Sequence, residues 1–318
     1  MDREFWQLLK GVSRSFYLSI RFLPEKIRPA IALGYLAARA SDTIADANAL
    51  EAVRRLEILK QLRTQLFVLD PEMKASLRDC AEHQPDSSER QLLQQIDVVW
   101  GGITALPVEQ QTLLMEVLEH IIHGQILDIE RFELASSLCA LRSKEELEKY
   151  IYLVAGSVGE FWTKLCLQRW PRYSRIPSSE IISLGIEYGK ALQLVNVLRD
   201  FPQDVLSGRS YLPVADLIGL SKNLEPAQPL FAEWRSVAVR YLESGARYVQ
   251  FIRPVRVKFA CALPILIGIK TLKKLGTIPS PGKKVKVSRR DVYWMALLSL
   301  VIGIIPGAGK LLMPGQAG

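Results

Sequence analysis

Apolar residues recur along most of this chain at intervals of three and four, the spacing that lines one face of an α-helix. No run alternates with the period of two that marks a half-buried strand. On this pattern helices are predicted near 24–46, 48–69, 86–103, 107–132, 143–169, 177–205, 227–252, 255–275 and 288–305. The breaks between them are brief and fall at turn residues, as at Leu106-Pro107, Ile176-Pro177, Leu212-Pro213 and Pro279 to Gly282. Helices this apolar must bury against one another, so the pattern predicts an all-α, bundle-type fold around a common core. No linker, low-complexity tract or internal repeat divides the chain, so one helical domain over 1–280 and a basic, apolar tail over 281–318 are expected.

Two helices break the apolar rule in the same way. Asp42 and Asp46 in ASDTIADA, and Asp200 and Asp204 in NVLRDFPQD, each form a D-x-x-x-D, which puts both carboxylates on one helix face. Two close carboxylates repel, and desolvation makes the repulsion worse, so a cation is expected to compensate it. A single such pair is ordinarily a solvated surface feature. Here each pair extends into a longer polar stripe: Tyr35, Arg39, Asp42 and Asp46 on the first helix, and Gln193, Asn196, Asp200 and Asp204 on the other. Arg199 flanks the second stripe, and Arg209 follows it in SGRSYLP. Guanidinium groups bind phosphate oxygens bidentately, while Arg39 and Arg199 could equally be paired with the neighbouring aspartates. Mg²⁺ is typically held by one or two carboxylates with phosphate oxygens and water completing its shell. Two opposed stripes therefore suggest a cavity in which metal ions clamp a diphosphate.

Charge localises a second feature. The formal net charge is +8, and Lys270, Lys273, Lys274, Lys283, Lys284, Lys286, Arg289 and Arg290 lie in one stretch without an acidic residue. Without those eight the chain carries 33 basic and 33 acidic residues, so its body is balanced. A nucleic-acid binder would spread its cations along a face with interleaved aromatics, and no nucleic-acid partner is expected. A membrane surface or a phosphorylated ligand suits the cluster better. The N-terminus, MDREFWQLLKG, has acidic residues and no long apolar stretch, and Cys80, Cys139, Cys166 and Cys261 are scattered, so a cytoplasmic protein with reduced, mostly buried thiols is expected.

Longer segments then resemble one family. SRSFYLSIRFLP at 13–24, YLAARASDTIAD at 35–46, YIYLVAGSVGEFW at 150–162, QLVNVLRDFPQDVLSGRSYLP at 193–213 and CALPILIGIKTL from 261 are similar, in order, to the squalene/phytoene synthase family, the head-to-head trans-prenyl transferases. The resemblance implies an isoprenoid-synthase-type helical bundle around a central cavity. It implies that Asp42, Asp46, Asp200 and Asp204, with Asn196, hold Mg²⁺ and through it diphosphate. It implies that Tyr150, which opens Y-x-x-x-V-A-G, assists proton transfer in the first half-reaction, with Tyr152 a packing residue. Arg14, Ser15 and Phe16 match a segment near the diphosphates, and Tyr35, Arg39, Gln193, Arg199 and Arg209 match the polar lining. SRSF and Thr43 after the first aspartate are closer to squalene synthases than to phytoene or dehydrosqualene synthases. VKVSRRDV at 285–292, with Arg289 and Arg290, resembles a basic stretch implicated in NADPH use. The implied reaction joins two farnesyl diphosphates to presqualene diphosphate and reduces that to squalene, in an enzyme expected to be a monomer. Dehydrosqualene, hydroxysqualene or phytoene as product, or a non-catalytic relative that binds lipid or a partner, are the alternatives.

Other signals are weaker. His120 and His123 stand three apart without an evident third ligand, and read as packing or surface residues. Gly156 and Gly159 follow no strand, so they read as positions of close helix packing, not a dinucleotide fingerprint. Val292 to Lys310 carries no charge before its lysine, but Pro306, Gly307 and Gly309 cut its helical part below the ~20 residues of a membrane span. This tail is expected either to pack on the bundle or to lie on the cytoplasmic membrane face, with Tyr293-Trp294 at the interface.

Overall fold

The computed structural model describes residues 3–13, 16–134, 138–280, 282, 285–305 and 311–312, and almost all of them are helical. The contacts divide the chain into two compact units, Met1–Leu134 and Ala135–Gly318.

The first unit holds α1 (Arg3–Ser13), α2 (Phe16–Phe22), α3 (Arg28–Ala45), α4 (Ala52–Thr64), α5 (Pro71–Glu82), α6 (Ser87–Gln94), α7 (Ile96–Thr104) and α8 (Val108–Asp128), which runs on into a π-helical turn (Ile129–Glu133). Helix α3 packs against α1, α2, α4, α6, α7 and α8. Its sequence allows this, because Ala30, Ala32, Ala37 and Ala40 keep it slim on its buried side. The predicted helix 86–103 is two helices, α6 and α7, separated at Gln95. Three helices were not predicted here. Helix α1 buries Phe5, Leu8, Leu9 and Val12, and α2 follows it. Helix α5 starts at an Asp70-Pro71 pair whose aspartate accepts the Met73 amide at 2.7 Å, a regular N-cap.

The second unit comprises β1 (Cys139–Ala140), α9 (Lys144–Ile151), a π-helical turn (Tyr152–Gly156), α10 (Ser157–Arg169), α11 (Ser178–Leu206), β2 (Arg209–Ser210), α12 (Leu217–Lys222), a 3₁₀ turn (Glu225–Ala227), α13 (Gln228–Phe251), α14 (Val255–Lys274) and α15 (Arg289–Ile304). The predicted helix 143–169 is thus interrupted by a π turn on the VAG motif itself. The two strands are two residues each and pair in parallel, Cys139 with Arg209 and Ala140 with Ser210. Helix α11 is central: α9, α10, α13 and α14 pack on it. It is the one helix among the described residues with the length and apolarity of a membrane span, and the packing of these partners buries 44% of its apolar window. The backbones of α10 and α11 touch: a Cβ at Gly159 would lie 2.0 Å from the Gly185 carbonyl oxygen, so only glycine fits. This bears out the close-packing reading of Gly159. All four cysteines are unpaired, and Cys80, Cys166 and Cys261 are buried.

Candidate active site

In the first unit the polar stripe lies on the last turns of α3. Arg39 Nη1 donates to Asp42 Oδ2 at 2.6 Å, and Nη2 donates to Glu89 on α6. Arg39 Nε is buried without an acceptor among the described residues. Tyr35 Oη donates to the Val12 carbonyl at 3.3 Å, and Asp46 ends the helix with its amide on the Asp42 carbonyl. Burial, then the charge of Asp46, pushes the Asp42 carboxyl up to about 6, although Arg39 pulls the other way. Arg39 is thus shared between Asp42 and Glu89.

Arg55 holds the end of α3 in place. Its guanidinium, almost fully buried, donates to the carbonyls of Ala45 and Leu50 and pairs with Glu133 in the π turn after α8. Three carbonyl or carboxylate partners would be left unsatisfied without it. Arg55→Met is therefore expected to lower stability by about 2–4 kcal/mol, read by urea unfolding, whereas Arg54→Met, in an exposed pair with Glu57, should change it by less than about 0.5 kcal/mol.

In the second unit α11 carries the other stripe, running from half-buried Gln193 and Asn196 to exposed Asp200 and buried Asp204. Arg199 grips Asp200 bidentately, Nε to Oδ1 at 2.8 Å and Nη2 to Oδ2 at 2.6 Å. Arg209 Nε reaches Asp204 Oδ1 at 3.0 Å. Burial still holds the Asp204 carboxyl above the usual range, with Arg209 offsetting part of it. Arg209 is aimed by its backbone: Gly208 turns the chain at φ +80°, a conformation suited to glycine, and pairing with Cys139–Ala140 holds the short strand that carries the arginine.

From Arg209 a chain of contacts leads to the motif tyrosine. The guanidinium lies 5.8 Å from the Tyr211 ring centre, and Tyr211 stacks on Tyr150 with centroids 4.8 Å apart and planes at 26°. Tyr152 donates its hydroxyl to Glu160 at 2.8 Å. The structure thus links Asp204 and Arg209 through Tyr211 to Tyr150, while Glu160 holds the Tyr152 hydroxyl. Arg14 and Ser15 lie outside the described residues; Phe16 opens α2. Arg289 and Arg290 are exposed on the first turn of α15.

Neither stripe holds three acidic, histidine or cysteine side chains in one cluster among the described residues. Each supplies two carboxylates, one at least half-buried (Asp42, Asp204) and one exposed (Asp46, Asp200), the hard oxygen donors a magnesium ion uses when phosphate and water complete its shell. Burial first, and the charge of Asp46 second, hold the Asp42 carboxyl above the usual range. These residues fit Mg²⁺. Two side chains of the site were not foreseen. Glu89, the second anchor of Arg39, lies 50 residues from it, too far for any local pattern. Tyr211 could have been found, since residues two apart in an extended segment share a side and Tyr211 comes two after Arg209.

A helical fold with two D-x-x-x-D faces, each served by arginine, is of the isoprenoid-synthase class. The chain belongs to the squalene/phytoene synthase family, whose model matches residues 9–291. It is 26% identical to the squalene synthase of Schizosaccharomyces pombe, covering 85% of this chain and 58% of that protein. It is 29% identical to the bifunctional lycopene cyclase/phytoene synthase of Phaeosphaeria nodorum, covering 89% of this chain and 47% of that one. The chain thus spans about half the length of such relatives. Among solved structures, TcSQS in complex with the ligand E5700 superposes with a TM-score of 0.75 at 21% identity, over 98% of this chain and 88% of that one. The squalene synthase HpnC from Alicyclobacillus acidocaldarius gives 0.55 at 20% identity, over 92% and 95%.

Proposed function

We propose that this protein is a prenyl transferase that condenses two farnesyl diphosphates head to head, forming presqualene diphosphate and then squalene. The observation that carries the reading is the continuous line Asp204–Arg209–Tyr211–Tyr150, which joins a diphosphate-type carboxylate and guanidinium to a tyrosine able to move a proton. Family membership supports it. Magnesium held by Asp42 and Asp46, and by Asn196, Asp200 and Asp204, would neutralise the leaving diphosphate.

The protein's own groups do the rest. Arg39, Arg199 and Arg209 hold phosphate oxygens, exchanging part of their present carboxylate contacts for them. The apolar helix faces keep water from the allylic cation left when the first C–O bond breaks. The double bond of the second farnesyl diphosphate attacks that cation, and ring closure to the cyclopropane releases one proton, which leaves by way of the Tyr150 hydroxyl. A second ionisation would expel the remaining diphosphate, the cyclopropylcarbinyl cation would rearrange with opening of its ring, and NADPH, where bound, would supply the hydride that gives squalene. Arg289 and Arg290 are exposed guanidinium groups of the kind a dinucleotide phosphate accepts.

Purified protein given farnesyl diphosphate and Mg²⁺ should accumulate presqualene diphosphate without NADPH and squalene with it, as read by mass spectrometry of the extracted lipids. Replacing Arg289 and Arg290 by alanine should weaken the response to NADPH and leave formation of presqualene diphosphate intact. The same products with and without NADPH would point to dehydrosqualene or hydroxysqualene. Phytoene from geranylgeranyl diphosphate as the main product would overturn the assignment, and no product from either substrate would mark a binding relative without chemistry.

A further inference from the structure

Helix α9, which carries Tyr150, spans only eight residues, about two turns, too few to hold its place unaided. Beyond it the α-helical ladder gives way to the wider π pattern of Tyr152–Gly156, so α10 does not continue it as one rigid rod. Its buried residues are Leu147 and Ile151, one above the other. They form an axle, which fixes the line of the helix and leaves its roll to other contacts. Glu148, one step past Leu147, and Tyr150, one step before Ile151, lie on opposite sides of that line.

On its side Glu148 is gripped twice. Its Oε2 takes Lys190 Nζ of α11 at 2.9 Å, and its Oε1 accepts the Tyr241 hydroxyl of α13 at 2.9 Å. Lys190 Nζ also lies 5.8 Å from the Tyr241 ring centre, so the three close a triangle, and all three are half-buried. Burial first, and the bond to Glu148 second, push the Tyr241 hydroxyl up, which keeps it a donor. The π turn leaves room for the lysine: a Cβ at Gly156 would lie 3.1 Å from Lys190 Cγ, so a side chain there would press on it. The triangle thus ties the short helix to α11 and α13, two long helices packed along each other.

We infer that Glu148 is a positioning residue: gripped by Lys190 and Tyr241, it sets the roll of α9 and with it the place of the Tyr150 hydroxyl. The inference rests on the proposed role of Tyr150 in proton transfer. The stack on Tyr211 holds the tyrosine by its ring, and the triangle holds it through its backbone. A misplacement of about 1 Å at a reacting group can cost about 100-fold, so losing one of these grips has a kinetic effect out of proportion to its effect on the fold.

Glu148→Gln keeps the shape of the side chain and removes the charge that holds Lys190. It should lower kcat for presqualene diphosphate about tenfold and leave KM within about twofold. Lys190→Met should do the same, and Lys190→Arg, which keeps the charge, should recover most of the loss. Lys144→Met breaks an exposed pair with Glu233 that joins the same α9 to α13, and should be silent. A double-variant cycle, read by single turnover, decides the matter. In a Tyr150→Phe background Glu148→Gln should make no further difference, because the hydroxyl it places is gone, whereas a tie that only supports the fold would lower turnover by the same factor in both backgrounds. If Glu148→Gln misfolds, Tyr241→Phe, which loses one hydroxyl and keeps the ring, runs the same cycle with a first effect of about threefold. Equal losses in the two backgrounds, or no loss in either, would overturn the inference. Unchanged turnover in Tyr150→Phe alone would instead overturn the proton-transfer reading, and the positioning role with it.

Discussion

Asp42→Asn and Asp200→Asn should each lower turnover of farnesyl diphosphate by about 10²- to 10⁴-fold while leaving the fold intact. Each substitution removes one of only two carboxylates that its stripe contributes, so the charge available to hold magnesium is halved at one stroke. The fold survives because the paired carboxylates repel each other and neither side chain is part of the core, Asp42 being half-buried and Asp200 exposed. For Asp42 the sign can be followed with pH. Its folded value, about 6, lies above the ordinary carboxylate value of ~3.9, so the stability tied to its protonated form is present below pH 4 and lost as pH rises through 6. Without magnesium, Asp42→Asn should therefore match the parent near pH 4 and exceed it at pH 7.5. The gain is at most about 1 kcal/mol, because the side chain is 44% exposed and water screens it. Added Mg²⁺ should raise the parent's melting temperature at pH 7.5 more than the variant's, and the magnesium needed for half-maximal turnover should climb below pH 6, where a proton competes for the same oxygens. Unchanged turnover in both variants would rule out the clamp.

What the sequence disclosed here depended on the range of the interaction. The aspartate pairs were legible because four residues make about one helical turn: Asp200 and Asp204 both lie on α11, and Asp42 lies on α3 with Asp46 as its C-cap. Helix α11 was placed to within a residue because thirty residues of period and two turn signals agree. Breaks inside periodic stretches were not legible. Gln95 separates two helices whose apolar positions continue in phase, and the π turn at Tyr152–Gly156 inserts its extra residue without disturbing the local composition. Helix α5 announces itself by an Asp-Pro cap, yet its apolar positions Met73, Leu77 and Cys80 are too few to outweigh the polar residues between them. Side-chain partners were the least legible. Arg39 was expected to meet either aspartate or phosphate, and it takes Asp42; that Glu89 shares it is a fact of tertiary packing. Arg55 likewise reads as one more surface cation on a basic helix, and only folding places it beneath the end of α3.

Tyr150→Phe should reduce formation of presqualene diphosphate by about 10²- to 10⁴-fold, the usual worth of a positioned proton-transfer group. The ring is kept, so its stack on Tyr211 and the local packing survive, and the loss should appear in kcat with little change in KM. Tyr152→Phe removes a hydroxyl already engaged by Glu160 and should cost less than about tenfold. Tyr211 separates chemistry from positioning. It has no proton to move in the scheme, yet its ring lies between the guanidinium of Arg209 and the ring of Tyr150. Tyr211→Phe should therefore be nearly silent, while Tyr211→Leu, which loses the flat partner and the face offered to the cation, should lower kcat about tenfold and leave the profile of products unchanged. Single-turnover measurement of presqualene diphosphate in the four variants orders them: Tyr150→Phe lowest, then Tyr211→Leu, with Tyr152→Phe and Tyr211→Phe near the parent. If Tyr152→Phe proves the more damaging of the two motif variants, the proton leaves through Tyr152 and Glu160, and the line from Asp204 to Tyr150 serves only to bind diphosphate.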